Sequence, residues 1–222
     1  MNITPRALLL IGCASFVQVA SAATILWTNE AAFTAASSAV LLDNFEAVPT
    51  KDTPLPVLVS QGVTYTGLAG TPFPNVFVAS PGYTNFGAGV PQPTITSILT
   101  ANGNENFIGG SFASAPYALG FDVYLNGLGA ASVEFFNGAT SLGIHSFVPT
   151  ANGVEFLGIT STSAITSFHF VSTLGSSVNT GIDDVLVGAS VPDTGSVLMY
   201  AAIPGLFLLH RLNRRRISSI RS

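Results

Sequence analysis

The sequence predicts an all-β fold, an antiparallel β-sandwich expected to be of the jelly-roll kind, and three observations predict it. Between residues 23 and 190 the chain is a succession of short apolar or alternating runs broken by turn residues, with no long helical period. Asn-Gly recurs at Asn102-Gly103, Asn126-Gly127, Asn137-Gly138 and Asn152-Gly153. That dipeptide is preferred in type I′ hairpins, whose two central residues both need positive φ. Finally, Leu119, Phe121, Val123 and Leu125 alternate with Ala118, Gly120, Asp122 and Tyr124, the period of a half-buried strand.

Each element follows in order. Met1 to Ala22 reads as a secretory signal peptide: Arg6 is the positive start, Ala7 to Val17 the apolar stretch, and Ala20-Ser21-Ala22 the A-x-A cleavage site. The mature chain opens on Ile25-Leu26-Trp27. A short helix is expected next, with Thr28 or Asn29 as N-cap and Glu30 in its first turn. Val40 to Glu46 is strand-like, and Pro-rich connections run from Pro49 to Pro56 and from Pro72 to Pro93. Further strands are expected at Val63–Thr66, Val76–Val78, Thr94–Leu99, Phe107–Phe112, Ala118–Leu125 and Ser132–Phe136. The last four are Leu142–Val148, Val154–Ile159, Ile165–Val171 and Ile182–Val187. The domain is expected to span 23–190, leaving 191–222 as a separate tail.

Charge narrows the functions. Of the seven basic residues only Lys51 lies between Arg6 and Arg211, whereas all eleven carboxylates lie there. Such a domain lacks the Lys and Arg that phosphate binding needs, so nucleic acid is excluded as a partner. The only cysteine, Cys13, falls in the leader, which leaves the mature domain without disulfide or thiol chemistry. No G-x-S-x-G, H-E-x-x-H or Cys-pair motif occurs, and His145 and His169 lie within strand-like runs. Glu134 and Glu155 are on separate strands and are the acids to consider for glycoside hydrolysis, which needs two carboxyls facing across a cleft. The prediction is a domain without catalytic residues. The loop from Pro81 to Pro93, with Tyr83 and Phe86 among glycines, is the one plausible sugar-binding loop.

The tail runs Val191-Pro192-Asp193-Thr194-Gly195-Ser196, then an apolar stretch from Val197 to Leu209, then His210-Arg211-Leu212-Asn213-Arg214-Arg215-Arg216. An apolar segment followed by arginines is held with Arg211, Arg214, Arg215 and Arg216 on the cytoplasmic side, and the motif outside. This layout resembles the PEP-CTERM class of bacterial sorting signals, with V-P-D-T-G-S most similar to the VPDSG variant; Thr194 stands where that variant has Ser. The pairing of Thr28-Asn29-Glu30-Ala31-Ala32-Phe33 with Asn44-Phe45-Glu46 resembles the start of many PEP-CTERM cargo domains. The resemblance implies recognition of Val191, Pro192, Asp193, Thr194 and Gly195 by an exosortase-like enzyme. It also implies a single transmembrane span before processing, and an envelope or extracellular-matrix location near exopolysaccharide, which the domain would bind weakly.

Two rivals stand beside it. V-P-D-T-G also resembles the L-P-x-T-G signal of sortase-anchored wall proteins, and a secreted polysaccharide hydrolase is the third reading. Jelly-roll carbohydrate-binding domains, which the expected fold would resemble, often share a structural Ca²⁺ between first and last strands. That resemblance makes Asp43 and Glu46, expected on the first strand, and Asp183 and Asp184, on the last, the candidate calcium ligands.

Overall fold

The computed structural model describes residues 23–67, 75–83, 96–101, 108–125, 131–147, 154–172 and 180–189. The expected signal peptide, three of the four Asn-Gly pairs, most of the Pro81–Pro93 loop and the whole of the expected sorting tail lie outside the described residues. Among the described residues no helix is long and apolar enough to cross a membrane.

The described chain forms β1 (Thr24–Trp27), α1 (Glu30–Ser37), β2 (Val40–Asp43), β3 (Pro54–Leu55), β4 (Val57–Ser60) and β5 (Val63–Gly67). It continues with β6 (Val76–Ala79), β7 (Ile98–Ala101), β8 (Ile108–Phe112), β9 (Ala118–Leu125) and β10 (Ala131–Asn137). The last elements are β11 (Thr140–Phe147), β12 (Val154–Ser161), β13 (Ser167–Ser172) and β14 (Thr180–Gly188). These strands make two antiparallel sheets. One has eight strands in the order β1-β12-β9-β14-β7-β6-β3, with β2 also on β14; the other has six, β11-β10-β13-β8-β5-β4. The expected two-layer antiparallel sandwich is thus what the chain adopts, with fourteen strands among the described residues where the simplest jelly roll has eight.

Alternation fixes the core. Leu119, Phe121 and Val123 of β9, Leu157 and Ile159 of β12, and Ile182 of β14 point inward from the larger sheet. They meet Val63, Tyr65, Val133, Phe135, Phe168 and Phe170 from the smaller one. The cluster is rich in rings: Phe121 lies 5.1 Å from Phe168 and 5.7 Å from Phe170. Gly110 makes room for this, since a Cβ there would sit 2.5 Å from the Phe168 ring.

Outside the larger sheet lies α1. Asn29 is its N-cap, accepting the Ala32 N–H at 2.9 Å, and Ser38 ends it in the left-handed region at φ 51°. The helix buries Phe33 in a slot floored by Gly120 and Gly158, which face each other across β9 and β12. A Cβ on Gly158 would come within 2.9 Å of the Phe33 ring, so the slot exists because both floor residues lack one.

Three expectations are corrected. Asp43 is on the second strand, β2, and Glu46 lies beyond it; the first strand, β1, pairs with β12 instead. The Pro49–Pro56 connection contains β3, and β4 follows directly; both are short, and Pro54 sits at the end of a sheet, where its missing N–H is tolerated. The β10–β11 hairpin has Asn137 paired with Thr140, and only Gly138 carries positive φ, 57°. Among the described residues, the turn with two positive φ values is Gln61-Gly62, at 48° and 79°, closing β4 onto β5.

Candidate functional site

Strand alternation decides which way each acid points. Because Leu119, Phe121 and Val123 face the core, Asp122 and Tyr124 project from the outer face of the larger sheet. On the neighbouring β14, Asp183 lies opposite Asp122 and Gly181 opposite Tyr124. The register then slips before Leu186, with Asp184 at φ 46°, a β-bulge that exposes Asp184 and returns Val185 to the core.

Glu46 reaches this same face from the turn after β2. Its carboxylate accepts the Ser97 N–H at 2.6 Å, the Ser97 hydroxyl at 3.0 Å and the Lys51 ammonium at 3.2 Å. The Ser97 N–H above all, with Lys51 and the hydroxyls of Ser97 and Thr96, holds Glu46 down at about 2 against its partial burial. Thr96 Oγ1 lies 3.1 Å from Glu46 Oε1 and 2.6 Å from Asp183 Oδ2. One hydroxyl carries one proton, so two ionised carboxylates cannot both receive it. The Thr96 hydroxyl is thus shared between the two carboxyls, and it donates at the shorter distance to Asp183.

Burial dominates the acidities of this face. Burial pushes Asp183 up to about 7, the charges of Asp184 and Glu46 adding to it while hydrogen bonds from Thr96 and the Asp184 N–H oppose it. Burial, then Glu30 and Asp184, raise Asp122 to about 6. Asp184 is raised by burial and by Glu46. Burial and the carboxylates of Asp183, Asp122 and Asp184 lift the Tyr124 phenol to about 12, so Tyr124 stays a neutral donor.

Aromatic rings border the acids. Tyr124 packs at the edge of a small cluster of Phe77, Ala79 and Ile98, and Tyr83 joins the same cluster. The Phe77 and Tyr83 rings are 5.0 Å apart. Thus Tyr83, the described end of the predicted binding loop, adjoins the same face as Asp183 and Asp184. Phe86 lies outside the described residues.

The four predicted calcium ligands divide. Glu46, Asp183 and Asp184 share the outer face, whereas Asp43 is 6% exposed and turned inward toward Tyr65. Asp43 Oδ1 accepts the Phe45 N–H at 3.0 Å, while Asp43 Oδ2 and the Tyr65 hydroxyl are buried without a hydrogen-bond partner. Among the described residues no three His, Cys, Asp or Glu side chains form a group that could hold a metal ion. Glu46 is moreover already engaged by four donors, so the set as placed does not fit a calcium cage.

The acids considered for hydrolysis are also separated. Glu134 alternates with the buried Val133 and Phe135 and so lies on the outer face of the smaller sheet. Glu155 shares the inner face of β12 with Leu157 and Ile159. A sheet layer stands between them, and no cleft can hold both. His145, paired with Val133, also faces inward; burial lowers its pKa, against the attraction of Glu155.

Sequence reasoning missed Asp122, Thr96 and Tyr124. Asp122 and Tyr124 read as the polar face of a half-buried strand, and only the β9–β14 register brings them to the acid pair. The adjacent Asp183-Asp184 was the visible signal.

No protein-family model matches the chain, and no curated relative does. Among solved structures the chain is similar to mutants of CBM29-2, a family 29 carbohydrate-binding module. One, complexed with cellulohexaose, has a TM-score of 0.43 at 11% identity, covering 70% of this chain and 94% of that one. Another, complexed with mannohexaose, has a TM-score of 0.42 at 12% identity, covering 71% and 96%. At these values the similarity says nothing about what the present chain binds.

Proposed function

We propose that this protein is an exported, non-enzymatic β-sandwich of the bacterial envelope or extracellular matrix that binds neutral polysaccharide weakly. The outer face of the larger sheet would be its binding surface. The observation that carries the binding is the juxtaposition on that face of Tyr124 and Tyr83 with Asp122 and Asp184. Phenol rings stack on sugar C–H faces, and carboxylates accept pairs of sugar hydroxyls. The acids repel uronates and sulfates, so the ligand is neutral. Delivery rests on the tail: Val191 to Gly195, the apolar stretch and the arginines support handling by an exosortase-like enzyme, with the sortase reading as the alternative.

The hydrolase reading has one observation in its favour, the direct cross-strand pairing of Asp122 with Asp183, which places Cβ atoms about 5 Å apart. It fails on access, because Asp183 is only 2% exposed and its carboxyl is engaged by Thr96.

The test is affinity electrophoresis of the full chain in gels containing neutral glucomannan or hydroxyethylcellulose, and in gels containing polygalacturonate. Retardation by a neutral polymer alone is expected, with no reducing ends released on incubation. Retardation by polygalacturonate alone, or by none of the three, rejects the binding; release of reducing ends rejects the non-enzymatic assignment.

A further inference from the structure

The outer face of the smaller sheet carries a separate cluster, on the opposite side of the sandwich from the acidic face. Val133 and Phe135 of β10 and Phe168 and Phe170 of β13 all point into the core. Alternation therefore turns Glu134, Phe136, Ser167 and His169 outward. Glu134 stands opposite His169, and Phe136 opposite Ser167, in adjacent rows of the ladder. His169 Nε2 lies 3.7 Å from Glu134 Oε2, with side chains 33% and 21% exposed. The Phe136 ring lies 4.7 Å from the imidazole, tilted by 36°. The Phe136 row continues through Ser167, Ser111 and Thr64, three hydroxyls on successive strands, about 4.8 Å apart. The single described helix, α1, lies on the other sheet, against β12, β9 and β1.

We propose that this face is a second glycan platform, so that one molecule holds two neutral polysaccharide chains on opposite faces and cross-links them. The bivalency, though not the site itself, rests on the acidic face being the first platform. The chemistry is that of a hydroxyl-rich ligand. Phe136 and His169 offer ring surface for sugar C–H groups. Glu134 as acceptor and His169 as donor or acceptor are spaced for neighbouring hydroxyls of one sugar. The row of hydroxyls then follows the chain across the strands, roughly one sugar per strand. Anionic glycans are excluded here as well, because Lys51 is the only Lys or Arg from residue 7 to residue 210, and it pairs with Glu46 on the other sheet's side. Two opposed platforms suit a matrix protein, since a second site turns weak binding of separate strands into a network.

The experiment counts sites by calorimetric titration of the full chain with neutral gluco- and manno-hexasaccharides, and follows cross-linking of glucomannan by light scattering. Two sites per chain are expected. Phe136→Ala should leave one and abolish the rise in scattering, with melting temperature and residual affinity unchanged. Glu134→Gln, which preserves shape, should weaken the second site about tenfold, and it serves if Phe136→Ala does not fold. One site, lost in Tyr124→Ala and untouched by Phe136→Ala and Glu134→Gln, overturns this proposal and leaves the acidic face standing. One site, lost in Phe136→Ala and untouched by Tyr124→Ala, keeps this site but overturns both the bivalency and the acidic face. Binding of neither sugar overturns both sites.

Discussion

Asp183 is the residue on which the acidic face turns. Its carboxyl holds a proton to about pH 7 when folded, against about 4 for an exposed aspartate, because it is buried beside like charges. The folded state therefore binds more protons than the unfolded chain between those limits. Its stabilising contribution is complete below about pH 4 and is lost as pH rises through 7. The full chain should melt at lower temperature at pH 8 than at pH 5.5, by a stability difference on the order of 2 kcal/mol. Asp183→Asn, which keeps a side-chain oxygen to accept from Thr96 but cannot ionise, should flatten that dependence and melt higher than wild type at pH 8. A melting temperature that rises from pH 5.5 to 8 in wild type and variant alike would contradict a buried Asp183 that keeps its proton to about pH 7. Glu46 acts oppositely, since its depressed pKa makes its contribution vanish only as pH falls toward 2. The doubled aspartate made this site half legible in the sequence. What stayed hidden was direction: the bulge after Asp183 returns Val185 to the core, and Asp43, paired with Val185, turns inward with it toward Tyr65.

At the scale of elements, α1 and the two glycines beneath it form one unit. Phe33 fills a slot that only Gly120 and Gly158 can floor, and Phe156 closes it at 5.4 Å. Phe33→Ala should cost about 3–5 kcal/mol, and Gly158→Ala about 1–3 kcal/mol by crowding the ring. The double variant should cost less than the sum, because the smaller ring position relieves the added methyl; chemical denaturation of the four proteins measures this, and strict additivity would show that the slot is not shared. Asn29→Ala, removing the N-cap acceptor, should cost about 1 kcal/mol. The helix was legible because capping and first-turn chemistry are local. The slot was not, because Gly120 and Gly158 meet only through a pairing of strands 38 residues apart along the chain. Turn chemistry misled in the same way: Asn137-Gly138 matched the preferred dipeptide but the strand ladder ran one residue further, while Gln61-Gly62, which carries no such mark, took both positive φ values.

For the whole molecule, alternating strands and a lack of helical period were enough to specify two antiparallel layers. The order of the strands was not readable, since β9 takes its neighbours from β12 and β14 far along the chain. The tail makes its own prediction. Protein recovered from the envelope of its native host should lack everything beyond the neighbourhood of Pro192 to Gly195, and an intact mass that includes Arg221 and Ser222 would reject processing. Replacing Arg214, Arg215 and Arg216 with neutral residues should release unprocessed precursor, because each arginine resists entering the bilayer by about 2.5–3.5 kcal/mol. Exported or not, the central claim is that the acidic, tyrosine-bearing face binds neutral glycan. It is tested most directly by titrating glucomannan into the full chain and into Tyr124→Ala at pH 7. The account predicts saturable binding by wild type and at least a tenfold loss of affinity at that face in the variant, with the melting temperature held within a few degrees. Equal affinity in the two proteins would contradict it.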